Sequence, residues 1–580
     1  MASTPNAVTI NTCAELATLL GNAKTPGSIR VRGAMHSVRE SILPDGGPTP
    51  TTVTLGSEFL TTRFDTQNFP IASIGGGVRL GGDPDQGVPA SVGMLNWLAT
   101  ASPLPGWSVP DLGGITHQSV GGFLSTGSSG GSLSASLHDA IVGIQFMDGT
   151  GTLHDVTPAD GDLWNAIGVS MGLFGVITQV TIKPVQRFAI KGQESTFTIG
   201  SSVAPFDPFA AGQTGLEQYL KNQDYCRVMW WPQQGVQKMV SWTASAIPIP
   251  KPYDQFKPIP YQEIGDADEN PKAGFPPDVV NVLLPRLEAA VLANLPEILV
   301  LLLEHRNELP DDFYEFLERT INTIITEKGE GLKRIWEQAT TSEVQQFGVD
   351  LYFSLLGNRV ANDLAKKIFS AVFDDEATFE STWSPMIMNG VFLIDDADKR
   401  VPGAQQFLDY ADLGLPMDNQ ISDRLMPTEF TELWIPIDQT ASVMQVLAKL
   451  YANGYSATGT YACELYTAKS SPFWMSPAYG GDVLRVDVFW FGRNGDSTPQ
   501  AYYQQFWDAL RQFSFRPHWG KYLPPPATYG KAYYRQIYPH LQDFLDMRAQ
   551  YDPNQIFVTD YWRQQLGIQP ELAGPTTSGP

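Results

Sequence analysis

Cysteine is scarce in this sequence. Its 580 residues include three cysteines, Cys13, Cys226 and Cys463, and none of them belongs to a CxxC pair. So small and odd a set excludes a disulfide-stapled scaffold and a cysteine-based zinc site. Basic side chains are scarce as well: 38 Lys and Arg stand against 61 Asp and Glu, a formal net charge of -23. A surface of that sign repels phosphate backbones, so we expect no nucleic-acid partner.

Long apolar runs are missing too. The longest one, residues 298–303, is far shorter than the roughly 20 residues that a membrane-spanning helix needs. The first residues combine no basic segment with an apolar one, so no signal peptide is visible. We therefore expect a cytoplasmic protein without a membrane span, with a secreted form whose leader has been removed as the alternative.

Length and composition indicate a folded chain with more than one core. Of the 580 residues, 42% are hydrophobic and 17% are charged, as in globular proteins, and the chain is too long for a single core. β-branched runs between glycine-rich turns predict strands at residues 28–32, 141–146, 152–156, 176–182, 227–231, 238–242, 431–436 and 483–490. A proline-rich loop follows at 247–277, and helical spacing begins at 277. The predicted fold class is α+β, with antiparallel sheets and a helical insert.

The first cluster of chemical interest is residues 30–37, RVRGAMHS. A predicted strand leads into Gly33, and the successive amides after it can converge on one anion, an arrangement suited to a pyrophosphate. Glycine-rich turns are common, however. From this octapeptide alone His36 is as readily a surface-loop histidine as a functional one.

The second cluster, residues 110–131, is denser in glycine and hydroxyl groups. Glycines let the backbone approach a flat ring or a phosphate closely, and Ser125, Thr126 and Ser128 add donors. A flexible linker would not interleave these residues with apolar ones such as Val120 and Phe123. The pattern is not GxGxxG after a strand, which argues against a Rossmann fold.

Together these clusters resemble the FAD-binding domain of the vanillyl-alcohol oxidase superfamily, the p-cresol methylhydroxylase (PCMH) type. Residues 31–37 are similar to its first pyrophosphate loop, 118–127 to its second flavin-contacting segment, and 172–182 to its closing strand. The resemblance implies bound FAD. In family members with histidine at the position of His36, that side chain is often bonded to the flavin 8α-methyl carbon, so we expect a covalent bond here. Neither segment contains cysteine, so no second tether is expected.

The same resemblance implies the set of cofactor contacts. They are Arg32, Gly33, Ala34, Met35, His36, Ser37, Asp111, Ser119, Gly121, Gly122, Ser125, Thr126, Gly127, Gly175, Ile177 and Lys521.

Motifs in the second half resemble the sugar-lactone and alditol oxidases in order and spacing. They lie at residues 431–436, 463–467, 473–480, 516–521 and 551–557. With the flavin segments they imply an FAD-binding PCMH-type domain at 1–188 and a substrate-binding domain at 189–520 that contains a helical insert at about 277–345. A C-terminal segment at 521–570 would return to the flavin domain, and we expect a disordered tail at 571–580.

The resemblance also implies catalytic residues, Glu464, Lys521, Tyr466 and Glu432. Glu464 matches a glutamate that orients or deprotonates a substrate hydroxyl. Lys521 matches a lysine near the flavin pyrimidine, where a cation stabilises developing negative charge. Without the motif context, Glu464 would be a carboxylate satisfied within a sheet and Lys521 a surface lysine.

Two departures from the alditol-oxidase pattern concern the substrate. Tyr466 stands where that pattern has arginine, and Asp487 and Phe489 stand where it has histidine and threonine. We expect these three residues and Trp474 to line the substrate pocket, and the exchanges predict a less polar pocket. The helical insert and the proline-rich loop also resemble the covalent-flavin type of cholesterol oxidase.

The sequence therefore predicts an FAD-dependent alcohol oxidase. Hydride would pass from a carbinol carbon to flavin N5, and O2 would be reduced to hydrogen peroxide. The expected substrate is a relatively large hydrophobic alcohol, sterol-like or long-chain. The alternatives are a sugar-lactone or alditol oxidase with an altered pocket, a dehydrogenase with another electron acceptor, and a flavin-binding protein without activity.

Overall fold

The structure is a computed structural model. It describes residues 6–83, 86–232, 237–261, 277–304, 405–419, 428–452, 463–491 and 499–570, together with scattered positions between 318 and 374.

The described strands run from the N-terminus to the last third of the chain. In chain order they are β1 (Asn6–Ile10), β2 (Ile29–Val31), β3 (Thr51–Leu55), β4 (Thr62–Phe64), β5 (Ala72–Gly75), β6 (Trp107–Ser108), β7 (Ile141–Asp148), β8 (Leu153–Val156), β9 (Gly175–Ile182), β10 (Val185–Gln186), β11 (Phe188–Thr198), β12 (Tyr225–Trp231), β13 (Lys238–Pro248), β14 (Gln405–Tyr410), β15 (Thr428–Pro436), β16 (Cys463–Ala468), β17 (Val483–Phe491) and β18 (Arg516–Pro517).

The described α-helices are mostly short. They are α1 (Cys13–Asn22), α2 (Arg39–Ile42), α3 (Met94–Thr100), α4 (Val120–Ser125), α5 (Asp162–Ile167), α6 (Leu216–Lys221), α7 (Pro277–Ala293), α8 (Leu295–Glu304), α9 (Ala411–Gly414), α10 (Thr440–Ala452), α11 (Pro499–Leu510), α12 (Pro526–Tyr529), α13 (Lys531–Ile537), α14 (Leu541–Tyr551) and α15 (Asp560–Leu566).

Three sheets carry the architecture. The N-terminal part holds a three-stranded parallel sheet, β1-β3-β2, and a five-stranded antiparallel sheet, β4-β5-β9-β7-β8. The rest of the chain builds an eight-stranded sheet, β14-β11-β13-β12-β16-β17-β15-β18. The predicted α+β class is confirmed, and each strand predicted from the sequence overlaps a strand of the structure.

One hydrophobic cluster joins the five-stranded and the eight-stranded sheets. It includes Val180 of β9 and Leu465 of β16, both fully buried. β16 is buried along its whole length because both of its faces are covered. On one side lie α10 and α11, and on the other lies the part of the chain that precedes residue 188. Burial of this kind fixes the two large sheets relative to each other.

The helical spacing after residue 277 is confirmed by α7 and α8. The remainder of the predicted insert lies largely outside the described residues, as do residues 262–276 of the proline-rich loop and the predicted tail at 571–580. None of the helices in the described part of the chain is both long and apolar enough to cross a bilayer.

Arg30 joins the N-terminal sheet to the C-terminal segment. Its guanidinium is buried and donates to the carbonyls of Met171 at 2.8 Å, Ser41 at 2.9 Å and Phe557 at 3.2 Å. Burial lowers the pKa of Arg30 to about 10, so the group stays charged at neutral pH. A buried charge is tolerated here because backbone oxygens surround it.

Replacement of Arg30 by methionine is expected to lower the free energy of unfolding by about 3 kcal/mol, because buried carbonyls lose a charged donor. The measurement is chemical denaturation followed by tryptophan fluorescence. Arg63→Met changes an exposed arginine of β4 and is the matched control, with an expected change below about 0.5 kcal/mol. Equal losses in both variants would contradict the role assigned to Arg30.

Candidate active site

The first loop, residues 32–38, has the geometry of an anion-binding nest. Met35 has a φ of 65°, the left-handed conformation that turns successive amides towards one point. Within the described part of the chain, the backbone N–H groups of Gly33, Ala34 and Met35 donate to no protein acceptor. Donors left open in this way fit a pyrophosphate, as the sequence predicted for this loop.

The first loop packs directly on the second loop, residues 113–131. A Cβ on Gly33 would lie 2.3 Å from Ser119 Oγ, so only glycine allows this approach. Ser119 is the N-cap of α4 and accepts a hydrogen bond from the Gly122 amide at 3.3 Å. Gly121 also lies close to a third segment, because a Cβ there would be 2.9 Å from Gly76 O. Glycine thus brings three loops to one place.

His36 is largely buried beside His117, with 5.1 Å between the ring centroids. Burial lowers the pKa of His36 to about 4, and the positive charge of Lys521 and the neighbouring His117 act in the same direction. The imidazole is therefore neutral at neutral pH. A neutral imidazole keeps a lone pair on nitrogen, which is the form that can bond to an electrophilic carbon.

Two hydroxyl groups of the second loop, predicted as donors to a ligand, donate to the protein backbone instead. Ser125 donates to Gly121 O, and Thr126 Oγ1 donates to Gly122 O at 3.1 Å. Both protons are therefore committed to the backbone of α4, and only the oxygen lone pairs of Ser125 and Thr126 remain for other contacts. Gly127 follows with a φ of 74° and lies against Pro477.

Three of the predicted cofactor contacts lie behind the loops. Asp111 is fully buried and accepts from the Gly130 amide at 3.0 Å, and burial raises its pKa to about 8. Gly175 pairs with Asp148 at the start of β9, and the backbone oxygen of Ile177 meets Gly76. The contacts of these residues hold the loops in shape.

The eight-stranded sheet presents a row of charged side chains, which we call the charged face. β12, β16, β17 and β15 are neighbours, and directly paired residues of antiparallel strands lie on the same face. One line across the strands is Met229, Glu464, Asp487 and Glu432, and the adjacent line is Arg227, Tyr466, Arg485 and Trp434.

Arg485 makes the charged face more polar than the exchanges at Tyr466 and Phe489 predict. It is paired with Tyr466 across the strands, and its guanidinium lies 4.8 Å from the centre of the tyrosine ring. Its Nη2 lies 3.1 Å from Asp487 Oδ2 and 3.4 Å from Glu432 Oε2. The guanidinium missing from position 466 is thus supplied by the neighbouring strand. The alternation of β17 places Arg485 on the same face as Asp487, a signal that could have identified it.

Arg227 is a second arginine of the charged face that the sequence did not single out. It is buried, it pairs with Asp418, and it lies 3.8 Å from Glu464 Oε1 and 3.7 Å from Glu194 Oε2. The hydroxyl of Tyr466 donates to Asp418 at 3.5 Å. The pairing of β12 with β16, strands far apart in the chain, places Arg227 beside Glu464 and Tyr466.

The carboxyl groups of this face have strongly different pKa values. Burial raises the pKa of Glu464 to about 8, and the charge of Asp418 adds to the effect. Burial alone would raise the pKa of Glu432 as well, but His518, Arg485 and Lys521 outweigh it and lower that pKa to about 2. Burial and the negative Glu432 raise the pKa of Asp487 well above its usual value. Neighbouring acids with separated pKa values are typical of catalytic sites.

Lys521 connects the charged face to the first loop. Its positive charge lowers the pKa of both His36 and Glu432. The ammonium nitrogen is 3.7 Å from the centre of the Phe430 ring. Phe430 pairs with Phe489 across β15 and β17, with 5.4 Å between their centroids, so Phe489 lies on the charged face.

Trp474 does not belong to the charged face. It belongs to the connection between β16 and β17, and its ring stacks on His540 at 4.8 Å. Its amide donates to Asn165 O at 2.9 Å, and the side chain is buried. The prediction that it lines the pocket with Tyr466 and Asp487 is therefore not supported by its contacts.

Comparison with known proteins identifies relatives of part of the chain. Residues 413–565 match the family "D-arabinono-1,4-lactone oxidase". A D-arabinono-1,4-lactone oxidase from Debaryomyces hansenii is 27% identical over 26% of this chain and 25% of its own length. An alditol oxidase from Streptomyces is 30% identical over 18% of this chain and 24% of its own. The match to each of these two thus spans about a quarter of the relative.

Solved structures match over nearly the whole chain. A cholesterol oxidase from Brevibacterium sterolicum has a TM-score of 0.57 at 13% identity, covering 97% of this chain and 94% of that one. A solvent-stable cholesterol oxidase has a TM-score of 0.54, covering 93% and 90%. The resemblance predicted from the sequence is confirmed: the chain is related to the lactone and alditol oxidases in its C-terminal part, on the fold of the cholesterol oxidases.

Proposed function

We propose that this protein binds FAD and oxidises a CH–OH group. The observation that carries the proposal is the meeting of two features at Lys521. On one side lies a glycine-rich loop with open amides and a neutral histidine. On the other lies a buried face with a carboxyl group, Glu464, whose pKa is near neutrality.

The loops are assigned to FAD by their chemistry. The amides of Gly33, Ala34 and Met35 would hold the pyrophosphate, and His36 would bond to the flavin. Bound FAD would accept a hydride from the carbinol carbon and pass two electrons to O2, which gives hydrogen peroxide. Transfer to another acceptor is the alternative, and the rate at which O2 reoxidises the protein in stopped-flow experiments separates oxidase from dehydrogenase.

Glu464 is proposed as the base that takes the hydroxyl proton of the substrate. It can do so when ionised, and the guanidinium of Arg227 at 3.8 Å stabilises that form. Lys521 would balance negative charge that develops beside it. Glu432, ionised throughout the neutral range, keeps Arg485 in place.

The charge density of the face favours a sugar lactone or an alditol as substrate. Two guanidinium groups and several carboxyl groups lie on this face. Such groups pair with the hydroxyl and carbonyl groups of a polar substrate, whereas an apolar substrate would cover them without hydrogen bonds. The larger hydrophobic alcohol is the second candidate, and the Phe430–Phe489 pair at the edge of the face favours it.

A peroxide-coupled screen tests the substrate class. We expect turnover of aldonolactones or of polyols such as xylitol and sorbitol, and little turnover of sterols, terpenols and long-chain alcohols. The reverse result would establish the second candidate. Silence on both panels, with the flavin bound, would argue against the proposed oxidation.

Acid precipitation tests the covalent bond. Wild-type protein should stay yellow in the pellet, because a covalent bond between the His36 imidazole nitrogen and the flavin survives unfolding, and His36→Ala should release its colour into the supernatant. His154→Ala is the matched control, since His154 pairs with Asp148 in the β7–β8 hairpin. A colourless wild-type pellet would exclude the bond and leave non-covalent FAD binding open to test by spectroscopy.

The pH dependence tests the role of Glu464. A base with a pKa raised to about 8 gains activity as it loses its proton, so kcat/KM should rise through about pH 8 and level off above it. Glu464→Gln should lower kcat/KM by about a hundredfold or more and remove this rise. Glu217→Gln on α6, far along the chain from the motifs, should leave the profile unchanged. A profile that keeps its rise in Glu464→Gln would assign the base to another group.

A further inference from the structure

His518 holds an unusual place at the edge of the charged face. It follows β18, and its amide donates to the backbone oxygen of Glu432 at 3.1 Å. Its side chain is buried, and the ring lies nearly parallel to the Trp434 ring at 6.2 Å. It belongs to the turn 518–521, which also carries Lys521.

The contacts of the ring fix its tautomer. The Gly520 amide donates to His518 Nδ1 at 3.2 Å, and a backbone amide can only donate. Nδ1 is therefore an acceptor without a proton. Burial lowers the pKa of His518 to about 4, so the ring is neutral and its proton is on Nε2. Nε2 lies 3.0 Å from Ser128 Oγ and donates to it.

The hydrogen bonds continue in one direction into the second loop. Ser128 Oγ lies 3.1 Å from Thr126 Oγ1, and Thr126 donates to Gly122 O at 3.1 Å. Since the proton of Thr126 is committed to the carbonyl, Ser128 must be the donor to Thr126. Every proton from Gly520 to Gly122 is thereby assigned. A chain of this kind is stronger than its separate members, because each bond polarises the next.

The same turn also contacts the first loop. The Val38 amide donates to Gly520 O at 2.9 Å, and a Cβ on Gly520 would lie 2.9 Å from Ser37 Oγ. Lys521 is held within the turn by its own amide, which donates to His518 O at 3.0 Å. The backbone that carries the lysine is thus bonded to the sheet edge and to the first loop, and the His518 side chain bonds it to the second loop.

We propose that His518 is a positioning residue that, as the neutral Nε2–H tautomer, locks the Lys521 turn to the second loop through Ser128 and Thr126. The inference rests on the proposed function for what Lys521 does, and it goes further by naming the group that holds Lys521 in register with the loops. An ordinary buried histidine would stabilise the fold through packing and would not require this direction of donation.

Two amide substitutions test the two hydrogen bonds of the His518 ring separately. In His518→Gln the side-chain nitrogen takes the place of Nε2 and can still donate to Ser128. In His518→Asn the side-chain oxygen takes the place of Nδ1, which keeps the bond from Gly520 and loses the bond to Ser128. Ser128→Ala and Thr126→Val remove the later steps with little change of shape.

The first readout is kinetic and spectroscopic. We expect kcat to fall about tenfold in His518→Asn and in Ser128→Ala with KM nearly unchanged, as for the loss of one hydrogen bond. His518→Gln should stay within about threefold of wild type, and the flavin absorption maxima should shift in the Asn and Ala variants only. Equal damage in His518→Gln and His518→Asn would overturn the proposal. His154→Asn serves as the unrelated histidine control.

The second readout does not depend on activity. The thermal midpoint of the double variant His518→Asn/Ser128→Ala should be no lower than that of either single variant, because each already breaks the same chain. Additive losses would overturn the proposal whether or not the protein oxidises alcohols. If no alcohol is oxidised while the coupling persists, the proposed function fails and the locked turn stands. The double variant His518→Asn/Thr126→Val measures the same coupling a second time.

Discussion

Burial of two arginines on one face of the eight-stranded sheet is the constraint on which the site depends. Arg227 and Arg485 cannot leave water unless carboxylates accompany them: Arg227 pairs with Asp418, in the segment after α9, and Arg485 lies beside Glu432 of β15. Nearby positive charge lowers the pKa of Glu432. Burial and the negative Glu432 raise the pKa of Asp487. The pKa values of the two glutamates separate because burial and Asp418 raise that of Glu464, whereas His518, Arg485 and Lys521 outweigh burial at Glu432.

The turn 518–521 connects the charged face to the two loops by hydrogen bonds. It is bonded to Glu432 by its backbone, to the first loop through Gly520, and to the second loop through the His518 ring. A rigid turn is needed because a lysine acting on both a sheet face and a loop tolerates little displacement. Glycines at positions 33, 76 and 121 complete the contact, since any side chain there would push the loops apart.

The polarity of the pocket was the expectation that changed most. Replacement of an arginine by Tyr466 seemed to remove a cation from the strand that carries Glu464, and this favoured a hydrophobic substrate. Arg485 provides the cation from the paired strand, above the ring of that same tyrosine. The chain thus departs from the alditol-oxidase pattern at Tyr466, yet a guanidinium lies on the same face of the sheet.

The sequence by itself determined the elements whose signals are local. Alternation located the strands, glycine spacing located both loops, and the C-terminal motifs identified the relatives; His36, Glu464 and Lys521 stand out at this level. Tertiary structure alone decided which side chains meet. Arg227 reaches Glu464 because β12 pairs with β16, more than 230 residues further along the chain, and Trp474 is directed to His540 by a connection that alternation does not describe. Likewise, the tautomer of His518 follows from partners in the turn and in a distant loop, because strand pairing and loop docking are long-range contacts that no local pattern encodes.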